Sequence, residues 1–108
     1  MINPTRLQQI TDGDISLQRE LLGLFFDTVT RCMGTMRDVS DAADTAWRDA
    51  AHEMKGAANT LGFERIGAVC LRVQVIPSFS SADKQAALRE LEAAIMEVTA
   101  FAEAIAGT

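Results

Sequence analysis

The stretch AHEMKGAANTLG, residues 51–62, holds the single histidine of the chain, His52, with Lys55 three positions on and Gly56 four. A neutral imidazole is a nucleophile, with an ordinary pKa of about 6.5, and it can accept and release a phosphoryl group. Phosphorylation adds negative charge to the ring, which an ammonium one helical turn away, such as Lys55, would stabilise. Other chemistries fit less well. Asp49 precedes His52 by three residues, but no second histidine completes a di-iron bundle pattern, so no metal site is expected. A catalytic triad needs a nucleophile within reach, and Cys32 and Cys70 fall on the core faces of other predicted helices. The chain has no P-loop, no kinase motif and no evident Mg²⁺ cage, so a phosphoryl group would have to arrive from a partner and be handed on.

Such a nucleophile must be solvent-facing. Laid out at about 100° per residue, Trp47, Ala50, Ala51, Met54, Ala58 and Leu61 cluster in one arc, which predicts the buried face. His52 falls roughly 150° from the centre of that arc and points outward, in the company of Arg48, Asp49, Lys55, Gly56 and Asn59. A glycine at an exposed helical position weakens the helix by roughly 1 kcal/mol relative to alanine. Beside an exposed imidazole, it makes sense where another molecule has to come close.

The rest of the chain must build a frame for that helix. At 108 residues it is long enough for one domain and one core. Nearly half the residues are apolar, there is no Tyr, and only two prolines interrupt the sequence. That is the composition of a compact helical domain. The net charge of −5 argues against nucleic acid, which needs concentrated Lys and Arg. No apolar run approaches a membrane span, and MINPTRLQQ lacks the apolar core of a signal peptide. Two isolated cysteines without C-x-x-C spacing read as buried thiols in a reducing compartment. A cytoplasmic location is therefore expected.

Asn3-Pro4 opens a short helix to about Ile10, and Thr11, Asp12 and Gly13 break it. Asp14 then caps a long helix over about 15–40, with Leu22, Phe25, Val29, Cys32, Met36 and Val39 at spacings of three and four. The third runs over about 45–61 from an Asp44/Thr45 cap to Gly62. The fourth, about 64–76, carries Ile66, Val69, Cys70 and Val73 on one face and stops before Pro77. Ser80 or Ser81 caps the fifth, about 81–106, with Leu88, Leu91, Ile95, Val98, Ala102 and Ile105 in step. Strand signals are absent. The expected fold is all-α, an antiparallel four-helix bundle with a short additional N-terminal helix.

His52-x-x-Lys55-Gly56, followed by Leu61, Gly62 and FERIGAVCLRVQ, resembles the histidine-containing phosphotransfer (HPt) domain of multistep two-component phosphorelays. The preceding ELLGLFFDTV helix and the Asp44/Trp47/Ala51 start of the third helix extend the resemblance over most of the chain. It implies a single HPt domain over 1–108, in which Nε2 of His52 takes a phosphoryl group from a receiver aspartyl phosphate and passes it to another receiver aspartate. It implies a carrier without kinase activity of its own and without its own cofactor, the Mg²⁺ being supplied by the partner receiver. Receiver domains of response regulators and a hybrid sensor histidine kinase are the implied partners, and a monomer is expected. By the same resemblance, Lys55 steadies the phosphoryl charge and Gly56 leaves room for the receiver. Gln74 falls where some members place a glutamine near the imidazole, although an ordinary polar helix-end residue accounts for it equally well. Ala57 stands where the family often has Ser, and Glu53 where it often has a neutral residue, a difference expected to affect partner choice. The alternative function is an HPt-like adaptor that binds a receiver or kinase and inhibits it without transfer.

One stripe is left over by a four-helix core. Leu17, Leu21 and Leu24 run beside the core stripe of the second helix, and Leu7 and Ile10 are too few to cover them all. Leu21 and Leu24 are expected to stay partly exposed and to lead toward His52 and Gly56 as a docking patch of a few hundred Å². Thr28, Glu53 and Ala57 complete the expected docking set with Leu17.

Overall fold

Leu7, near the start of the chain, is 1% exposed, and the short helix that carries it is tied down by polar side chains as well as by that leucine. The computed structural model describes residues 4–38, 44–75 and 81–106. Its helices are α1 (Pro4–Thr11), α2 (Ile15–Asp38), α3 (Asp44–Leu61), α4 (Glu64–Val75) and α5 (Ser81–Ala106). No strand occurs among the described residues. The expected helix ends at Val39, Ser40 and Ile76, and the Asn3 and Ser80 caps, lie outside the described residues.

Around the bundle the order is α2, α3, α4, α5, with each helix packed on the next and α5 closing on α2. The assembly measures 42 × 21 × 19 Å, about the length of the 26-residue α5. Most of the core is the one that the helical periods predict, but Ile95, Ala102 and Ile105, expected on the core face of α5, are only partly buried against it. Leu22, Phe25, Val29, Cys32 and Met36 from α2 meet Trp47, Ala51, Met54 and Ala58 from α3, Ile66, Cys70 and Val73 from α4, and Leu91 and Val98 from α5. Phe63 joins them, its ring 4.9 Å from Phe25 and 6.1 Å from Phe101 in edge-on packing. Exposed ion pairs cross the seams, Arg37–Glu92 between α2 and α5 at 3.2 Å, and Arg65–Glu97 and Arg72–Glu90 between α4 and α5.

Local chemistry sets the breaks. The Asp14 carboxylate accepts from the Leu17 amide at 3.1 Å, which caps α2 as its position predicts. At the end of α3 the Gly62 amide donates to Asn59 and the Phe63 amide to Ala58, with Gly62 at φ 83°. This is a Schellman turn, and it swings Phe63 into the core. Beyond it, Gly67 lets α4 come close to α3, because the Asn59 side chain occupies the place a Cβ would take.

The anchoring of α1 departs from expectation. Ile10, expected to help cover Leu17, is 44% exposed. Polar groups do the fastening instead. The buried Gln18 side chain donates to the Thr11 hydroxyl at 3.1 Å, and that hydroxyl donates to the Leu7 carbonyl at 2.6 Å. Lys84 is buried too, with its ammonium 5.6 Å from the centre of the Trp47 ring.

Candidate functional site

Met54 and Ala58 point inward and are fully buried, so the α3 positions opposite them must face solvent. His52 is exposed there, as its place in the helical period predicts. Gly56, one turn on, is exposed as well, and a Cβ built at that position would meet no atom within 4 Å. Lys55 is half-buried on the side of α3 that turns toward α4, and its charge acts on the Cys70 thiol. Burial nevertheless dominates at Cys70 and pushes that thiol up to about 12, so it stays protonated and unreactive.

From α4, the Gln74 amide reaches across to lie 2.7 Å from Nδ1 of His52. The turn between α3 and α4 explains the meeting. Asn59 and Gly67 sit four residues either side of Phe63 and touch, and His52 and Gln74 sit eleven either side. In an antiparallel helix pair, residues equidistant from the turn come side by side. Gln74 is thus a neighbour of the imidazole, the reading that its sequence position left open. An amide can meet Nδ1 in two ways related by a half-turn about its last bond. As placed, the Gln74 amide nitrogen is the near atom and donates to Nδ1; with the amide turned over, its carbonyl oxygen accepts from Nδ1–H, and Nε2 then carries the lone pair.

On the α2 side lies a shallow groove of about 240 Å³, lined by Leu21, Leu24, Phe25 and Thr28 of α2 and by Gly56, Ala57, Thr60 and Leu61 of α3. Five of the residues expected to dock a partner or admit it, Leu21, Leu24, Thr28, Gly56 and Ala57, thus line one surface. Leu24 is 59% exposed at its rim. Leu17 is half-buried and lies outside this lining, as does Glu53. Glu53 is bound instead by Arg31 of α2, whose Nη1 donates to Oε1 at 3.0 Å and whose Nη2 pairs with Oε2. Arg31 and Thr60 were missed by sequence reasoning. The signal for Arg31 was present, since Leu17, Leu21, Leu24, Thr28 and Arg31 form one unbroken run of fours and threes along α2.

Imidazole, ammonium, amide and an adjoining apolar groove thus occupy one exposed surface built by α2, α3 and α4. A family model described as Hpt domain matches residues 20–106, a span that takes in α3, α4 and α5 whole and most of α2. The chain belongs to the Hpt domain family. No curated protein and no solved structure matches it. Hpt domains are phosphocarriers rather than enzymes, and they work with receiver domains and kinases in two-component phosphorelays. No described helix of this Hpt domain is long and apolar enough to cross a membrane.

Leu24→Lys is expected to weaken receiver binding by about 1–2 kcal/mol, since it replaces an exposed apolar side chain on the rim of the groove with a charge. Its thermal midpoint should stay close to that of the parent because Leu24 is mostly in water. Titration calorimetry with a receiver, alongside thermal melts, checks both halves. An unfolded variant would place Leu24 in the core and move the docking face elsewhere.

Proposed function

We propose that Nε2 of His52 accepts a phosphoryl group from the aspartyl phosphate of one receiver domain and passes it to an aspartate of another. The observation that carries this reading is the placement of the chain's single histidine: exposed, with Nδ1 against Gln74 and an apolar groove alongside. In the forward step the Nε2 lone pair forms the N–P bond as the P–O bond to the donor carboxylate breaks, and the carboxylate leaves as an anion. No proton need leave Nε2 when Nδ1–H is held by the Gln74 carbonyl, so that the amide acts on the tautomer that can react. The return step reverses the same bonds on a second receiver.

The remaining roles follow from position. Lys55, at i+3 from His52, offsets the charge that the phosphoryl group adds. Gly56 keeps the neighbouring surface low enough for the receiver to reach Nε2. Leu21, Leu24, Thr28 and Ala57 form the apolar seat beside it. Mg²⁺ is assigned to the acidic pocket of the receiver, and we assign this chain no kinase activity.

The test is to incubate the protein with receivers carrying labelled aspartyl phosphate, and then to offer unlabelled receivers. Label should move onto the chain and off again. A phosphoramidate is acid-labile and base-stable, whereas an acyl phosphate shows the opposite pattern. A chain that binds receivers but takes no label would be an adaptor instead. Lys55→Ala is expected to slow transfer by about tenfold, with receiver affinity largely kept. Single-turnover rates against titrated binding separate the two, and a normal rate would reduce Lys55 to a surface charge.

A further inference from the structure

The charge close to His52 is more evenly balanced than that of the whole molecule. The chain carries a net charge of −5. Yet on the outward face of α3, His52 is flanked by Arg48 and Lys55 as well as by Asp49 and Glu53, and Arg31 reaches over from α2. Asp27, one turn before Arg31 on α2, is exposed as well, so cations and carboxylates are close to balanced here, and losing Arg31 would leave the carboxylates in excess. Glu53 is the nearest of these carboxylates in sequence, directly following His52 on the groove side of α3. Both its oxygens are engaged by the one guanidinium, a two-pronged geometry that lysine could not reproduce.

The hydrogen bonds from Arg31 hold the Glu53 carboxyl below the usual carboxylate range, so the acid stays charged. A charged carboxylate beside the acceptor nitrogen would repel an incoming phosphoryl group and the acidic pocket that delivers it. The pairing answers that problem. The ion pair also bridges the two helices that line the groove, so its charge pattern lies where a receiver must pass.

We propose that Arg31 is a specificity-determining residue of this Hpt domain, which masks Glu53 and so keeps the approach to His52 from turning net negative toward an acidic, phosphorylated partner. This rests on the phosphotransfer reading above. Arg31 touches neither His52 nor the phosphoryl group in this account. It acts through Glu53 and through the field at the docking rim, on encounter more than on chemistry.

The experiment compares the parent, Arg31→Gln, Glu53→Gln and the double variant in transfer from one phosphorylated receiver, at about 0.02 M and about 0.5 M salt. Screening lengths are near 20 Å and 4 Å there, so a field effect present in the first is lost in the second. At low salt Arg31→Gln should lower kcat/KM by about threefold to tenfold, and Glu53→Gln should match or exceed the parent. The double variant should return to within about twofold of the parent, and the Arg31→Gln defect should shrink to less than about twofold at high salt. The single-turnover rate at saturating receiver should change little in every variant.

An Arg31→Gln variant that transfers like the parent at low salt overturns the inference. So does a defect that salt and Glu53→Gln both leave in place, since that would be structural; urea melts of each variant, followed by Trp47 fluorescence, would show the matching loss of stability. A parent that takes no label from any receiver is a different failure. It removes the phosphotransfer reading, and this inference with it.

Discussion

His52→Gln is expected to take up no label from a phosphorylated receiver that labels the parent fully. Glutamine keeps the bulk and polarity of the position but has no nucleophilic nitrogen, because its amide lone pair is delocalised into the carbonyl. No other imidazole exists in the chain to stand in for it. Both thiols are poor substitutes, since Cys32 and Cys70 are buried and burial raises each above its ordinary pKa. The effect is therefore a loss of the whole signal, not a graded decrease. Stability should move by no more than about 0.5 kcal/mol, since the side chain is exposed. Urea unfolding followed by the fluorescence of buried Trp47 checks this. Label retained on a folded Gln variant would remove His52 from the reaction.

Gly56 gives the second large effect, in which stability and transfer move in opposite directions. Glycine inside an exposed stretch of helix is unfavourable, and a Cβ there would meet no atom within 4 Å. Gly56→Ala should accordingly raise the unfolding free energy by about 0.5–1 kcal/mol. Gly56→Leu should also fold at least as firmly as the parent. Its side chain would stand on the lip of the groove next to His52, where the receiver must descend to bring phosphorus within bonding distance of Nε2. A displacement of about 1 Å is enough to slow a reaction about 100-fold, and Gly56→Leu should slow transfer by at least that much. Receiver affinity measured on the same sample should fall with it. A Leu variant that is more stable and still transfers at the parent rate would show that Gly56 has nothing to do with approach.

Much of this site was legible in the sequence because it depends on one helix. The period of Trp47, Ala51, Met54 and Ala58 fixes the inward direction of α3, and hence the outward direction of His52, whatever the helix packs against. Lys55 and Gly56 follow from the same period. The caps are equally local. Asp14 accepts a bond within its own turn, and Gly62 takes the positive φ that ends α3. An extra leucine stripe on α2 was also predictable, since a helix in a four-helix core needs only one apolar face.

What the sequence left open depends on which helices become neighbours and in what register. Gln74 meets His52 because α3 and α4 fold back symmetrically about Phe63 and because Gly67 lets them close, and neither condition is visible within α4 alone. Glu53 reads as a solvent-facing acid until α2 brings Arg31 beside it, 22 residues away along the chain. Thr11 reads only as a residue that breaks the first helix, yet it and Gln18 are buried, and each supplies the hydrogen bond that the other needs there. Lys84 is buried with its ammonium 5.6 Å from the centre of the Trp47 ring, a contact between α5 and α3 that neither helix reveals alone. Periodicity sets the direction of a side chain through the backbone it belongs to. The partner it finds is set by long-range packing, and polar side chains that satisfy one another can occupy buried positions that hydrophobic patterning would never assign to them.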